Sequence, residues 1–262
     1  MNKAFTIILA IIFFMIPSTV FSTTQLSPDT KRPVTNKIIL IHGLSGESSG
    51  WISMKDMLAE YGCEVVLFDL SGHGSSQQEL SDVSWKDWAR QVQEVIDTQS
   101  QDGKVSIFGH SMGGLLAYIV GNQDMDKVEN IVTFGAAFQN ISLKDKIIIY
   151  LSPILKYIKP TYEISSGHTI PLTTLRDFLY LNTSAKSVIK TNQIRSLALH
   201  GRQDTSVPVD EARFHLEGRP NISFKVLEQS HYPSSEDDFR EIADQIRNFI
   251  SPDSGTVCKE KL

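Results

Sequence analysis

The chain has little cysteine, no run of one charge and no internal repeat, and each lack removes a class of function. Two cysteines, Cys63 and Cys258, stand in 262 residues. Their spacing makes no zinc motif, and two cannot build a disulfide-dense scaffold. Lysine and arginine form no block interleaved with aromatics, and the net charge is −5, so no nucleic-acid partner is expected. No low-complexity tract marks a disordered linker. Histidines and carboxylates never take up ligand spacing, so no metal is expected. The one long apolar run, Ala4 to Ile16, holds 13 residues, short of the roughly 20 that span a bilayer.

That run has the layout of an export signal. Lys3 is the only charged residue before Asp29. Pro17-Ser18 ends the apolar block, and Val20-Phe21-Ser22 places small or modest residues at −3 and −1 of a cleavage site. A signal peptide over 1–22 and a single domain over 23–262 are therefore expected, with a secreted or periplasmic product. An uncleaved N-terminal membrane anchor is the alternative. No cysteine follows the block, so a lipidated N-terminus is not expected. Export permits a disulfide. Even so, Cys63 at the start of a predicted strand and Cys258 in a polar tail are expected to be free thiols.

What is present is an ordinary globular composition, 41% hydrophobic and 21% charged, in a chain long enough for one substantial core. Short apolar runs alternate with helical spacing. Predicted strands are 37–41, 63–68, 104–108, 128–134, 196–200 and 222–227. Predicted helices include 51–61, one capped by Ser84 with Trp85, Trp88, Val92, Val95 and Ile96 on one face, 209–216 and 235–250. Such alternation implies a parallel sheet covered on both faces. The alternation breaks from about 139 to 195. There Ile147 to Leu151, Ile154, Leu155, Tyr157 and Ile158 lie among lysines 144, 146, 156 and 159, and Pro153 is expected to kink or divide a helix. The chain loosens at 164–171, and 172–189 reads as short helical pieces. The whole stretch reads as an inserted helical lid, which offers a peripheral membrane contact.

The most informative stretch is Gly109-His110-Ser111-Met112-Gly113, between the strand 104–108 and a small-residue apolar helix. Strand, G-x-S-x-G and helix form a nucleophile elbow. The serine sits on a sharp turn in a strained backbone, glycines relieve the crowding two residues either side, and the next amide lies at a helix N-terminus.

Taken together, these features resemble the α/β-hydrolase family over roughly residues 37 to 250. The carriers are His42-Gly43 after the first strand, Asp69 with Gly72-His73-Gly74, the elbow, His200-Gly201-Arg202-Gln203-Asp204 with Val207-Pro208, and Ser230-His231. Within the family the chain looks closest to small carboxylesterases and monoacylglycerol lipases. The resemblance implies an α/β-hydrolase fold and a catalytic order of serine, acid, histidine.

That order assigns Ser111 as nucleophile, Asp204 as acid and His231, of seven histidines, as base. Asp204 follows a strand end. Asp210 is its rival but sits at a helix start, and Asp69 reads as a turn-former bonding loop amides. The family places the oxyanion hole at the backbone N–H groups of Leu44 and Met112, with His42 holding the first loop in shape. No cofactor is implied. The implied activity is hydrolysis of carboxylic esters, lipid-like ones above all. A thioesterase or C–C bond hydrolase on the same three residues, and a non-catalytic binding module, are the alternatives.

Overall fold

The computed structural model describes residues 34–251 except 75, 77, 78, 156, 158–160 and 164–168. The expected signal peptide, His168 and Cys258 lie outside the described residues. In chain order the elements are β1 (Val34–Ile41), α1 (Ile52–Glu60), β2 (Glu64–Leu67), α2 (Trp85–Gln99), β3 (Lys104–His110), α3 (Met112–Gln123), β4 (Val128–Phe134) and α4 (Leu143–Leu155). There follow β5 (Thr161–Glu163), β6 (Thr169–Pro171), α5 (Leu172–Val188), β7 (Arg195–Gly201), α6 (Val209–Leu216), β8 (Ile222–Leu227) and α7 (Glu236–Ile250).

Six strands form one sheet in the order β2-β1-β3-β4-β7-β8, every neighbouring pair parallel. The run Ile38-Ile39-Leu40-Ile41 shows why such strands read as continuously apolar. Ile38 and Leu40 pack with Trp51, Met54, Leu58, Ile242 and Ile246 under α1 and α7. Ile39 and Ile41 point the other way, to Trp88, Val92, Ile96, Leu115 and Leu116 under α2 and α3. Alternate side chains serve opposite faces, and both faces are covered. Ile39 has no exposed surface, so cutting it to alanine costs about 2–5 kcal/mol.

Local chemistry sets the helix starts. The Ser84 amide donates to the Asp87 carboxylate at 2.9 Å ahead of α2. At α7 the exchange is reciprocal: Asp238 N–H donates to Ser235 Oγ, and Ser235 N–H to the Asp238 carboxylate, each at 3.1 Å. These are capping boxes with aspartate in place of glutamate.

Four details differ from the sequence reading. Residues 172–188 form one 17-residue helix, α5, rather than short pieces. No proline or glycine interrupts it, and Leu172, Leu175 and Leu179 pack as one cluster with Ile170. The segment before it is an antiparallel hairpin, β5 with β6. Pro153 falls in the last turn of α4 and does not divide the helix. Finally, Cys63 is disulfide-bonded, which corrects the expectation of free thiols; Cys258 is the chain's only other cysteine. α7 runs back past the end of α1, where Arg240 pairs with Glu60 at 3.0 Å and the Arg247 guanidinium lies 4.7 Å over the Tyr61 ring. No helix among the described residues is long and apolar enough to cross a membrane.

Candidate active site

All three predicted relay residues stand beyond the C-terminal ends of strands: Ser111 after β3, Asp204 after β7 and His231 after β8. This edge is where open parallel sheets bind ligands. Ser111 has φ 52° and ψ −116°, a left-handed conformation costly for a residue with a side chain. Its amide donates to Phe134 O at 3.1 Å, and its carbonyl accepts from Gly114 and Ala137 N–H at 3.0 and 3.1 Å. Those bonds hold the strain in place.

The structure brings the three side chains into one line. His231 Nε2 lies 3.0 Å from Ser111 Oγ, and His231 Nδ1 lies 2.7 Å from Asp204 Oδ2. Asp204 Oδ1 accepts the amides of Ser206 and Val207 at 2.9 and 2.7 Å. Burial alone would raise the Asp204 pKa. Hydrogen bonds from His200 and His231, the attraction of His231 and the Val207 amide outweigh it and hold the carboxyl well below the usual range. The rival Asp210 is not part of this group; its side chain is 90% exposed in the first turn of α6. Asp69 accepts the Ser48 amide at 2.7 Å, so it ties its own loop to the loop after β1.

The oxyanion candidates are brought to Ser111 by close backbone approach. A Cβ added to Gly43 would lie 3.0 Å from Ser111 Cβ, so the loop carrying Leu44 lies against the elbow. Met112 is the first residue of α3, where amides lack a partner one turn back. His42 is wholly buried. Its Nε2 accepts the Leu70 amide at 3.0 Å, and its Nδ1–H therefore donates to Gly43 O at 2.8 Å. It holds the loop and stays neutral, since burial lowers its pKa.

Two further histidines touch the group; each stands in a motif already named, but neither motif assigns it a role. His110 Nε2 donates to the His231 carbonyl at 2.8 Å, and burial, then repulsion from His231, pushes its pKa down to about 3. His200 Nε2 lies 3.2 Å from Asp204 Oδ2. Tyr232 closes one flank, its hydroxyl donating to Gly50 O.

Ser111 opens into a cavity of about 590 Å³. Leu44, Leu175, Phe178 and Leu179 supply apolar wall, and Gln139, Asn140 and Asn182 supply polar wall. Glu47 and Glu163 also line it, whereas no lysine or arginine does among the described residues. Among the described residues no His/Cys/Asp/Glu group could hold a metal ion.

A family model described as "Serine aminopeptidase, S33" matches residues 32–197. Methylesterase 9 of Arabidopsis thaliana is 30% identical over 101 residues, covering 38% of this chain and 39% of that protein. A 2-hydroxy-6-oxononadienedioate/2-hydroxy-6-oxononatrienedioate hydrolase of Escherichia coli is 24% identical over 217 residues, 69% of this chain and 75% of that one. For Methylesterase 9 and two other curated relatives, the chain spans only 39% to 56% of the relative's length. Among solved structures, the monoacylglycerol lipase of Paleococcus ferrophilus superposes with a TM-score of 0.69 at 19% identity, covering 83% of this chain and 97% of that one. The parallel sheet, the strained serine and the family match agree: the chain belongs to the serine aminopeptidase S33 family, serine hydrolases of the α/β-hydrolase superfamily alongside esterases and lipases.

Proposed function

We propose that the protein is an exported esterase that cleaves neutral, lipid-like carboxylic esters through an acyl-enzyme on Ser111. His231 takes the Ser111 proton as Oγ attacks the ester carbonyl, and Asp204 stabilises the resulting imidazolium. The amides of Leu44 and Met112 receive the developing oxyanion. His231 then returns the proton to the leaving alcohol, and water hydrolyses the acyl-enzyme by the same route.

The observation that carries this reading is the lining of the cavity onto which the relay opens. An apolar wall accepts an acyl chain, and two carboxylates without a cation repel an anionic one. The dioate named in the Escherichia coli relative carries two carboxylates, and the described lining has no lysine or arginine to pair with them. This favours esters over the C–C hydrolase alternative. A complete relay argues against a non-catalytic binding module. A panel of monoacylglycerols, methyl esters, acyl thioesters and a dicarboxylate C–C substrate tests the reading. Turnover of neutral esters is expected; preference for the dicarboxylate or for thioesters would overturn it.

Two observations support export to a lipid surface. The disulfide at Cys63 fits an oxidising compartment. On α4 and just beyond, Leu143, Ile147, Tyr150, Ile154 and Tyr157 are 75, 49, 83, 64 and 81% exposed. Their spacing of four, three, four and three places them in one stripe. Exposed Lys144 and Lys146 flank it, suited to anionic head groups with the apolar stripe in the acyl boundary. The stripe starts beside the cavity, since Gln139 and Asn140 line the rim and Lys144 Nζ sits 5.8 Å over the Tyr162 ring. N-terminal sequencing of the exported protein should begin at Thr23; an intact Met1 would reject cleavage.

A further inference from the structure

The carboxylate that orients His231 carries a second imidazole. His200 lies one residue before the end of β7 and has no exposed surface. Its Nε2 is 2.8 Å from Val207 O and 3.2 Å from Asp204 Oδ2. Both neighbours are acceptors, which assigns the proton to Nε2, shared between them. Nδ1 is buried without a partner among the described residues. An imidazolium would bury a second N–H with no acceptor, so the neutral ring is the form that fits. The ring lies 6.3 Å from Phe224, nearly parallel to it.

We propose that His200 is a positioning residue that fixes Asp204 Oδ2 independently of His231. The two oxygens are held differently. Oδ1 is fixed by the backbone amides of Ser206 and Val207. Oδ2 faces two side chains, His231 Nδ1 and His200 Nε2. Without His200, the partner of Oδ2 is the very group whose orientation Oδ2 must set. With it, Oδ2 keeps a buried reference point while His231 passes its proton from Ser111 to the leaving group. The bond to Val207 O also closes the Asp204–Val207 turn, so one ring holds both the acid and the loop that supplies its amides. No substrate contact is involved, and the effect falls on how fast Ser111 reacts rather than on binding. The inference rests on Asp204 being the acid of the relay.

The test uses the full chain, a fluorophosphonate that labels the nucleophilic serine, and NMR of the histidine rings. In the wild type, ¹⁵N shifts of His200 should report a neutral ring protonated at Nε2. His200→Phe keeps a ring beside Phe224 but removes the donor; it should slow labelling of Ser111 by about 10- to 100-fold. It should also move the downfield His231 Nδ1–H resonance. His200→Gln restores a donor and should recover both the rate and the resonance. A wild-type His200 that is charged or protonated at Nδ1 overturns the proposal without any variant. So does an unmoved His231 resonance in His200→Phe, or equal slowing by the two substitutions. A wild type that takes no label at Ser111 instead overturns the serine-relay reading beneath it.

Discussion

Gly113 stands against the end of β1: a Cβ there would lie 2.2 Å from the Ile41 carbonyl oxygen and 2.7 Å from that of His42. The start of α3 and the loop after β1 can meet only because residue 113 has no side chain. That meeting sets the loop that carries Leu44 against the first turn of α3, as the proposed oxyanion hole requires. Gly113→Ala should force the two backbones apart and open the oxyanion hole. Loss of about 10²- to 10³-fold in kcat is expected, comparable to removing one donor. Activity titrated against fluorophosphonate-labelled sites checks it; an unchanged kcat would place the oxyanion donors elsewhere.

Asp204→Asn has a direction set by its neighbours. The Ser206 and Val207 amides require an acceptor at the Oδ1 position, so the new NH₂ must face His231 and His200. A donor then meets His231 Nδ1, which selects the wrong imidazole tautomer. A fall in kcat of about 10⁴-fold follows, with the fold intact by circular dichroism. Asp210→Asn should leave the rate unchanged. The opposite ranking of the two variants would reassign the acid.

Replacing the exposed stripe on α4 should separate membrane binding from chemistry. Ile147, Tyr150 and Ile154, all changed to serine, remove apolar surface that already faces solvent, so stability should change by no more than about 0.5 kcal/mol per site. Sedimentation with anionic vesicles should fall, and turnover of long-chain esters with it, while a soluble short-chain ester is hydrolysed at the wild-type rate. Leu151 and Leu155 are half-buried and do not belong in this variant. Unfolding, or equal loss on every substrate, would make the stripe a packing surface.

The buried histidines set the acid side of the stability curve. Burial, with a smaller contribution from His42, pushes His73 down to about 4, and His110 lies at about 3. Burial also lowers His42. In the unfolded chain each titrates near 6.5. Between these limits the unfolded state binds protons that the native state refuses, so stability rises with pH and is lost as pH falls below about 6.5. The slope is about 1.4 kcal/mol per pH unit for each histidine kept neutral. Asp204 adds nothing there: its stabilisation is full above about 3.9 and is lost only at still lower pH. The urea midpoint should therefore drop between pH 7 and pH 5. A flat midpoint would mean that these rings protonate in the folded protein.

Whatever depends on near neighbours along the chain is legible in the residues alone. Apolar runs such as Ile38–Ile41 specify strands buried on both sides, Ser84 with Asp87 and Ser235 with Asp238 start helices, and Gly109 to Gly113 specify the turn that strains Ser111. Even α5 was legible in type, though not in its continuity, because its helical spacing is local. Which side chains meet is settled by the packing of distant elements. Ser111 and His231 are 120 residues apart, and Asp204 and His231 are 27 apart. Their contact follows from β3, β4, β7 and β8 lying side by side in that order. The same strand order puts His200 beneath Asp204 and His110 on the His231 carbonyl, although neither histidine stands in a pattern that names its partner. Backbone period and turn chemistry are written within a few residues, whereas convergence at a sheet edge depends on packing between distant elements.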